Sequence, residues 1–200
     1  MSFYKDFLPS SQSELIEKSI NRNIEYFKYR ANGISEKSTY DPNWESYIPN
    51  WESYISRQHL NLLLDDPNPK SKEKRLICIN EERTHNYPRF SWTRLLKEFF
   101  PGYKLEQSGC FYYPVGGFMG WHTNHDRTED RLYITYTEED KKSFFRYYED
   151  GNIITDYDNK GITIRRFSIS GELPYFWHCV GSYTNRFSFG YRLRPIQQTS

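Results

Sequence analysis

Two histidines, His122 and His178, stand in sequence settings that could hold a metal ion. His122 follows a glycine-rich approach in GFMGWHTNHD, and His178 lies in the aromatic segment PYFWHCV. Two histidines and one carboxylate on one face of a non-haem iron leave the other face open for dioxygen and a second ligand. The alternative is a pair of ordinary core histidines, and for either residue alone this alternative would be favoured.

The arginines downstream of His178 favour the metal interpretation. The segment RFSFGYR at 186–192 alternates like a strand, which would place Arg186, Ser188 and Arg192 on one face. Such a face is costly to bury unless it binds an anion, and a guanidinium can grip a carboxylate with two parallel hydrogen bonds. The alternative is a pair of surface arginines on an edge strand. We expect an anion-binding strand.

The chain from about Cys110 to Arg192 resembles the catalytic half of the Fe(II)/2-oxoglutarate-dependent dioxygenases, and its spacing is most similar to the AlkB-type branch. In that branch a tyrosine that binds 2-oxoglutarate precedes the first metal histidine by nine positions, as Tyr113 precedes His122. The terminal strand of that branch carries Arg-x5-Arg, which Arg186 and Arg192 match. Arg186-x-Ser188 also resembles the cosubstrate clamp of other members.

The resemblance implies an α+β fold in which a double-stranded β-helix (jelly roll) follows N-terminal helices. It implies an oxidoreductase that hydroxylates or demethylates a substrate while 2-oxoglutarate is converted to succinate and CO2. Fe(II) and 2-oxoglutarate would be its cofactors, with O2 as the other reactant. The resemblance also implies roles for individual residues. They are His122 and His178 as iron ligands, Arg186 as a catalytic and cosubstrate-binding residue, and Tyr113, Ser188 and Arg192 as further 2-oxoglutarate contacts.

The third metal ligand departs from the family pattern of His-x-Asp or His-x-Glu, because the sequence here is His122-Thr123-Asn124. Asn124 offers a neutral amide oxygen in place of a carboxylate, and it could ligate through that oxygen. Asp126 could supply the carboxylate, either from the same strand face or from a turn. The position could also be open, as in the related halogenases. His125 would face away from His122 on an extended strand, which suits a residue that contacts the ligands or the substrate.

Composition excludes several classes of protein. The 200 residues carry 27 basic and 26 acidic side chains, a net charge of +1, which gives no global attraction to nucleic acid or anionic membranes. Aromatic residues are plentiful, so the chain is not expected to be disordered. Three widely spaced cysteines, Cys78, Cys110 and Cys179, are interpreted as reduced thiols of a cytoplasmic protein. No signal peptide or membrane span is expected.

The order of elements predicts one compact domain with two parts. Residues 1–102 form a helical extension with a first strand, RLICIN, and residues 103–200 form the double-stranded β-helix. Apolar spacing predicts a helix from Ser13 to about Gly33, a second around Gln58–Leu64 and a third over Ser91–Phe100. Short aromatic strands separated by turns follow from about Tyr103, which is typical of a jelly roll or sandwich.

Three other segments receive structural interpretations. The heptapeptide PNWESYI occurs twice in succession, at 42–48 and 49–55, and we interpret it as a duplication in a tolerant surface segment, with a register-forming unit as the alternative. Its Trp and Tyr residues could still form a contact surface. The basic cluster Lys70–Arg75 is predicted to be a solvated loop, and Asp156 and Asp158 to be solvated in a turn.

The functional hypotheses belong to different classes. The first is the Fe(II)- and 2-oxoglutarate-dependent oxygenase, and the alternatives are a non-catalytic jelly-roll binding module and a halogenase-like enzyme with an open metal position. The substrate could be a nucleic acid, a peptide or a small molecule, because the scaffold alone does not decide it. The sequence leaves the substrate and the oligomeric state open.

Overall fold

The computed structural model describes residues 2–35, 49–64, 73–78 and 91–196, and these residues form two antiparallel sheets with helices on their outer faces. The helices are α1 (Ser10–Asn21), α2 (Ile24–Ser35), a 3-10 helix (Trp51–Ile55), α3 (Arg57–Leu63) and α4 (Ser91–Phe99). The strands are β1 (Phe3–Lys5), β2 (Lys74–Arg75), β3 (Ile77–Cys78), β4 (Tyr103–Tyr113), β5 (Gly117–His122), β6 (Glu129–Thr137), β7 (Ser143–Glu149), β8 (Asn152–Tyr157), β9 (Gly161–Ile169), β10 (His178–Ser182) and β11 (Arg186–Pro195).

The strands β4 to β11 have the connectivity of a double-stranded β-helix. One sheet has the order β1-β9-β6-β11-β4-β3, and the other has the order β2-β5-β10-β7-β8. Consecutive strands mostly alternate between the two sheets, so β4, β6, β9 and β11 face β5, β7, β8 and β10 across the interior. The jelly-roll fold predicted from the sequence is confirmed.

The N-terminal part contributes strands as well as helices. β1 pairs with β9 and β3 with β4 in the first sheet, whereas β2 pairs with β5 in the second. The predicted strand RLICIN is therefore split between two sheets. The predicted helix from Ser13 to Gly33 is two helices, α1 and α2, with a break after Asn21. The helices predicted around Gln58–Leu64 and Ser91–Phe100 are present as α3 and α4.

Helices α1, α2 and α4 cover the first sheet through a helix-side core. Alternation along β11 places Phe187, Phe189, Tyr191 and Leu193 on this outer face. They pack against apolar residues of the helices, including Ile16, Ile20, Phe27, Trp92 and Leu96. The same alternation turns Arg186, Ser188, Gly190 and Arg192 to the interior between the sheets. The helix-side core thereby fixes which face of β11 can bind a ligand.

The second copy of the heptapeptide covers the outer face of the other sheet. Trp51 and Ile55 are each 1% exposed, and Trp51 stacks on Phe118 with the ring centroids 5.8 Å apart. Gly181 makes this approach possible, because a Cβ there would lie 2.7 Å from the Trp51 ring. The tolerant-surface interpretation is wrong for residues 49–55, since an aromatic residue anchors the segment in the core. The first copy, with Trp44 and Tyr47, lies outside the described residues.

Candidate active site

A cavity of about 600 Å³ opens between the two sheets. This volume lies within the usual range for small-molecule sites. Seven of the eight predicted site residues line it, and they are Tyr113, His122, Asn124, Asp126, His178, Ser188 and Arg192. Arg186, the eighth, lies in the same strand face as Ser188 but is 1% exposed.

His122 and His178 face each other across paired strands. They are register partners at the ends of β5 and β10, and their ring centroids are 4.1 Å apart. The register between β5 and β10 shifts between His178 and Val180. Such a β-bulge often changes the direction of side chains near active sites. Phe145 and Phe176 stack on the His178 ring at 5.3 Å and fix its plane. Residues far apart in sequence thus form one histidine pair.

Hydrogen bonds determine which ring nitrogens are available as ligands. The Nδ1 atom of His122 lies 2.9 Å from the carbonyl oxygen of Gly120, and the Nδ1 atom of His178 lies 3.0 Å from that of Phe176. A carbonyl oxygen only accepts, so each Nδ1 carries the proton. The Nε2 atom of each ring therefore keeps its lone pair, which is the arrangement seen in metal-binding histidines.

Burial favours the neutral form of both rings. It lowers the pKa of His122 to about 4 and that of His178 well below the usual value, and the nearby charge of Arg131 acts in the same direction. Two neutral imidazoles at neutral pH are in the protonation state that a metal ion requires. The histidine pair fits a divalent metal.

Asn124 lies against the histidine pair, although not on a continuing strand. β5 ends at His122, and Asn124 has φ 51°, in the left-handed region that asparagine tolerates. Its Nδ2 atom donates to His178 Nε2 at 3.2 Å. A half-turn of the amide would exchange nitrogen for oxygen at the same place. The backbone beyond His122 is therefore a turn and not the extended strand considered for His125 and Asp126, and this turn brings the amide beside the histidine pair.

Asp126 lies in the turn beyond Asn124 and pairs with arginines. Its side chain is 53% exposed, and its carboxylate oxygens lie 3.9 Å from Arg131 Nη2 and 3.8 Å from Arg192 Nη2.

His125, which was expected to face away, lines the cavity, and its Nδ1 atom lies 2.8 Å from Thr123 Oγ1. Among the described residues no three His, Cys, Asp or Glu side chains are grouped closely enough to hold a metal ion. The donors nearest to one another are two imidazoles and an amide.

Arg186 belongs to a buried charge cluster that sequence analysis missed. Its Nε atom donates to Asp158 Oδ2 at 3.1 Å and its Nη2 atom to Thr135 Oγ1 at 3.1 Å. Asp158 also accepts from Arg165 and Ser143 and is fully buried, so the prediction of a solvated turn is wrong for this residue. Burial opposes ionisation of Asp158, but the charges of Arg165 and Arg186 outweigh it and hold the pKa at about 2.

The charge cluster leaves one donor without an acceptor. Arg165, Arg186 and Asp158 are each at most 1% exposed. Asp156 of β8, whose side chain is 17% exposed, also pairs with Arg165 at 2.5 Å, so the cluster has two guanidiniums and two carboxylates. The Nη1 atom of Arg186 is buried and has no hydrogen-bond partner, while the guanidinium lies 4.9 Å from the ring centre of Tyr113 at the cavity wall. Two of the guanidinium's three nitrogens are already used, so only one side of it remains for a ligand.

Arg192 belongs to a different cluster. It pairs across the strands with Arg131 of β6, and both line the cavity. Glu129, whose side chain is 5% exposed, lies 2.6 Å from Arg131 Nη2 and 3.3 Å from Arg192 Nε through one oxygen. Sequence analysis did not single out Arg131 or Glu129. The alternating pattern of residues in β6 places both in a strand, but it does not indicate that they bind a ligand.

The basic segment also reaches the cavity. Lys74 of β2 lines it, and Arg75, which is 8% exposed, donates from Nη1 to the carbonyl oxygen of Val115. The prediction of a solvated loop is wrong for these two residues, because β2 joins the sheet beside β5. Residues 70–72 of that segment lie outside the described residues.

Comparison with known proteins gives structural similarities alone. No protein-family model matches the chain, and no curated protein matches it. Among solved structures, a prolyl-4-hydroxylase from Pseudomonas putida is 14% identical, with 98% of this chain and 92% of that chain covered and a TM-score of 0.45. A full-length Neurospora crassa protein in complex with alpha-KG is 14% identical, with 98% and 76% covered and a TM-score of 0.44.

A 2OG-Fe(II) oxygenase family protein from Burkholderia pseudomallei is 17% identical, with a TM-score of 0.38. That alignment covers 51% of this chain and only half of the other. All three TM-scores are below 0.5, so the fold assignment depends on the sheet connectivity described above. In the part of the chain that the structure describes, no helix is long and apolar enough to cross a membrane.

Proposed function

We propose that the chain is an Fe(II)- and 2-oxoglutarate-dependent oxygenase that hydroxylates or demethylates its substrate. One observation carries the proposal. A pair of neutral histidines lines the cavity, and a buried arginine with an unpartnered donor lies over Tyr113 at the wall of the same cavity. A metal site and an anion site in one cavity suit a metal-bound dicarboxylate.

His122 and His178 would hold the iron through their Nε2 atoms. Asn124 is the proposed third ligand, because its amide already lies 3.2 Å from His178 Nε2. Asp126 is the alternative ligand and would have to leave its arginines. When bound, iron with 2-oxoglutarate and O2 supplies the oxidising power, and 2-oxoglutarate leaves as succinate and CO2. Phe145 and Phe176 pack on the His178 ring and would keep water away from that side of it.

Arg186, Ser188 and Tyr113 would bind the distal carboxylate of 2-oxoglutarate. The Nη1 atom of Arg186 supplies the donor, and Ser188, two residues along the same face, adds a hydroxyl. A charge-assisted hydrogen bond of this kind is about twice as strong as a neutral one. Asp158 holds the other side of the guanidinium, so the proposed grip is one-sided, in contrast to the bidentate grip expected from the sequence.

The resemblance also implies that Arg192 binds 2-oxoglutarate. Arg186 and Arg192 are six residues apart on one strand, which separates their Cα atoms by about 20 Å. Their guanidiniums have different carboxylate partners, Asp158 for Arg186 and Glu129 for Arg192. We therefore propose Arg186 for the cosubstrate and give Arg192 a separate role below.

The buried thiols are compatible with an intracellular site of action. Cys110 and Cys179 are buried, and burial raises the pKa of the Cys179 thiol. Reduced, inert cysteines of this kind are usual in cytoplasmic proteins. We propose a cytoplasmic location on this basis.

Anaerobic titration with Fe(II) and 2-oxoglutarate tests the proposal. The expected result is a visible charge-transfer band that needs both components and is abolished in His178→Ala. A succinate-release assay over nucleic acid, peptide and small-molecule pools would then search for the substrate. A binding module would bind 2-oxoglutarate without a band, and that result would reject the oxygenase. Chloride-dependent metal affinity would instead indicate the halogenase-like alternative with an open position.

A further inference from the structure

We propose that Arg131 and Arg192 form a second anion site in the cavity, which recognises a carboxylate or phosphate group of the primary substrate. The inference rests on the proposed function only in treating this cavity as the place where the substrate reacts. It assigns the substrate to an anionic class, and it gives Arg131 a specificity role.

The arginine pair is placed where like charges oppose each other. Arg131 and Arg192 are direct cross-strand neighbours on β6 and β11, an arrangement that is unfavourable without a shared anion. Glu129 supplies one carboxylate and contacts both. Arg131 is 4% exposed, and its Nε atom is buried without a hydrogen-bond partner. Arg192 also has Glu106 nearby, but Glu106 Oε1 lies 3.9 Å from Arg192 Nη1, which is too long for a hydrogen bond, and Arg192 Nε has no hydrogen-bond partner either. The neighbouring carboxylates therefore leave guanidinium donors unsatisfied.

Asp126 is the proposed placeholder for the substrate anion, although its nearest cation is Arg127, whose Nε atom lies 3.4 Å from Asp126 Oδ2. Its two oxygens lie 3.9 Å from Arg131 Nη2 and 3.8 Å from Arg192 Nη2, which is too long for hydrogen bonds. Its side chain is 53% exposed and lies in a turn, so it can be displaced at low cost. A substrate oxyanion that enters the cavity can take its place with shorter, charge-assisted contacts.

The charges that line the cavity have the sign that an anion requires. Lys74, Arg131 and Arg192 are its cationic lining residues, and Asp126 is its one acidic lining residue among those described. The cavity of about 600 Å³ has room for a substrate group in addition to a five-carbon cosubstrate. The Arg131–Arg192 pair and Arg186 have separate partners, so both anions can bind together.

Calorimetric titration of the 200-residue chain with inorganic phosphate tests this site. Metal is first removed from the protein with a chelating resin, so that phosphate bound to metal does not contribute and no soluble polycarboxylate competes for the site. We expect saturable binding that weakens by about tenfold or more in Arg131→Lys and in Arg192→Met. Arg131→Lys keeps a charge beside the buried Glu129, so it is the safer of the two for folding. The exposed Arg94→Met is the matched control and should bind as the wild type does.

Asp126→Asn should change the phosphate affinity in the opposite direction to the arginine variants. Loss of the placeholder should strengthen phosphate binding severalfold, whereas Asp150→Asn, the same charge change at an exposed turn, should leave it unchanged. Acetate titrated in parallel identifies which oxyanion the pair prefers. Failure of both oxyanions to bind, or wild-type binding in both arginine variants, would overturn the proposal. An equal loss of phosphate affinity in Arg186→Met would also overturn the proposal, because the anion would then occupy the cosubstrate site.

The two proposals fail separately. Absence of the charge-transfer band with Arg131-dependent phosphate binding would reject the oxygenase and leave the anion site standing. A normal band with no such binding would leave the oxygenase standing and reject the anion site.

Discussion

The side-chain nitrogen of Asn124 lies 3.2 Å from Nε2 of His178, the atom through which that ring would bind a metal ion. An amide therefore stands where a carboxylate is expected beside a histidine pair. Because the amide is neutral, the site has less negative charge to attract a divalent cation than a two-histidine, one-carboxylate site. Measuring metal affinity is therefore the most direct way to test whether Asn124 is the third ligand.

We expect Asn124→Ala to weaken Fe(II) binding by about tenfold or more, and Asn124→Asp to strengthen it, because a carboxylate adds a negatively charged oxygen ligand. Anaerobic titration with Fe(II) measures both. Asp126→Ala is the matched comparison, and it should change Fe(II) affinity less than Asn124→Ala does. The reverse order would identify Asp126 as the ligand.

Arg186→Met should weaken 2-oxoglutarate binding by about tenfold to a hundredfold, because it removes the buried charged donor that lies over Tyr113 at the cavity wall. Asp158 would keep Arg165 and Ser143 as partners, so the variant should fold. Metal affinity should stay nearly constant, since Arg186 does not contact the histidines. Ser188→Ala should give a smaller loss in the same assay. Parallel losses of metal and 2-oxoglutarate binding in Arg186→Met would contradict the separate roles.

Trp51→Ala should lower the free energy of unfolding by about 3–5 kcal/mol, as large-to-small changes at buried aromatic residues do. Gly181→Ala should also destabilise the protein, because the new Cβ would lie 2.6 Å from the Phe144 ring and 2.7 Å from the Trp51 ring. Urea unfolding of both variants and of the double variant measures their coupling. The cost of Gly181→Ala should fall in the Trp51→Ala background. Strict additivity would show that the heptapeptide does not dock on Gly181.

The sequence was informative where a local pattern determines structure. The strands after Tyr103, the two histidines and the face shared by Ser188 and Arg192 all follow from alternation and spacing. The sequence was uninformative where a partner comes from a distant strand. Burial of Asp158 depends on Arg165 and Arg186, which β9 and β11 bring to it. The turn at Asn124 replaces the expected strand, because asparagine accepts the left-handed conformation there.

Asp158→Asn should destabilise the folded protein by about 3–5 kcal/mol near neutral pH, because it leaves the buried Arg186 without its carboxylate partner and Arg165 with Asp156 alone. The difference from the wild type should depend on pH. The folded-state pKa of Asp158 is about 2, below the ordinary value of 3.8, so its contribution is complete above about pH 4 and is lost as the pH falls through about 2. Urea unfolding of both proteins at pH 6, 4 and 3 should show the gap narrowing toward the acid end. Asp150→Asn, at an exposed turn, should show no gap at any of these values. A gap between wild type and Asp158→Asn that is constant from pH 6 to pH 3 would mean that Asp158 is not the ionised partner of Arg186.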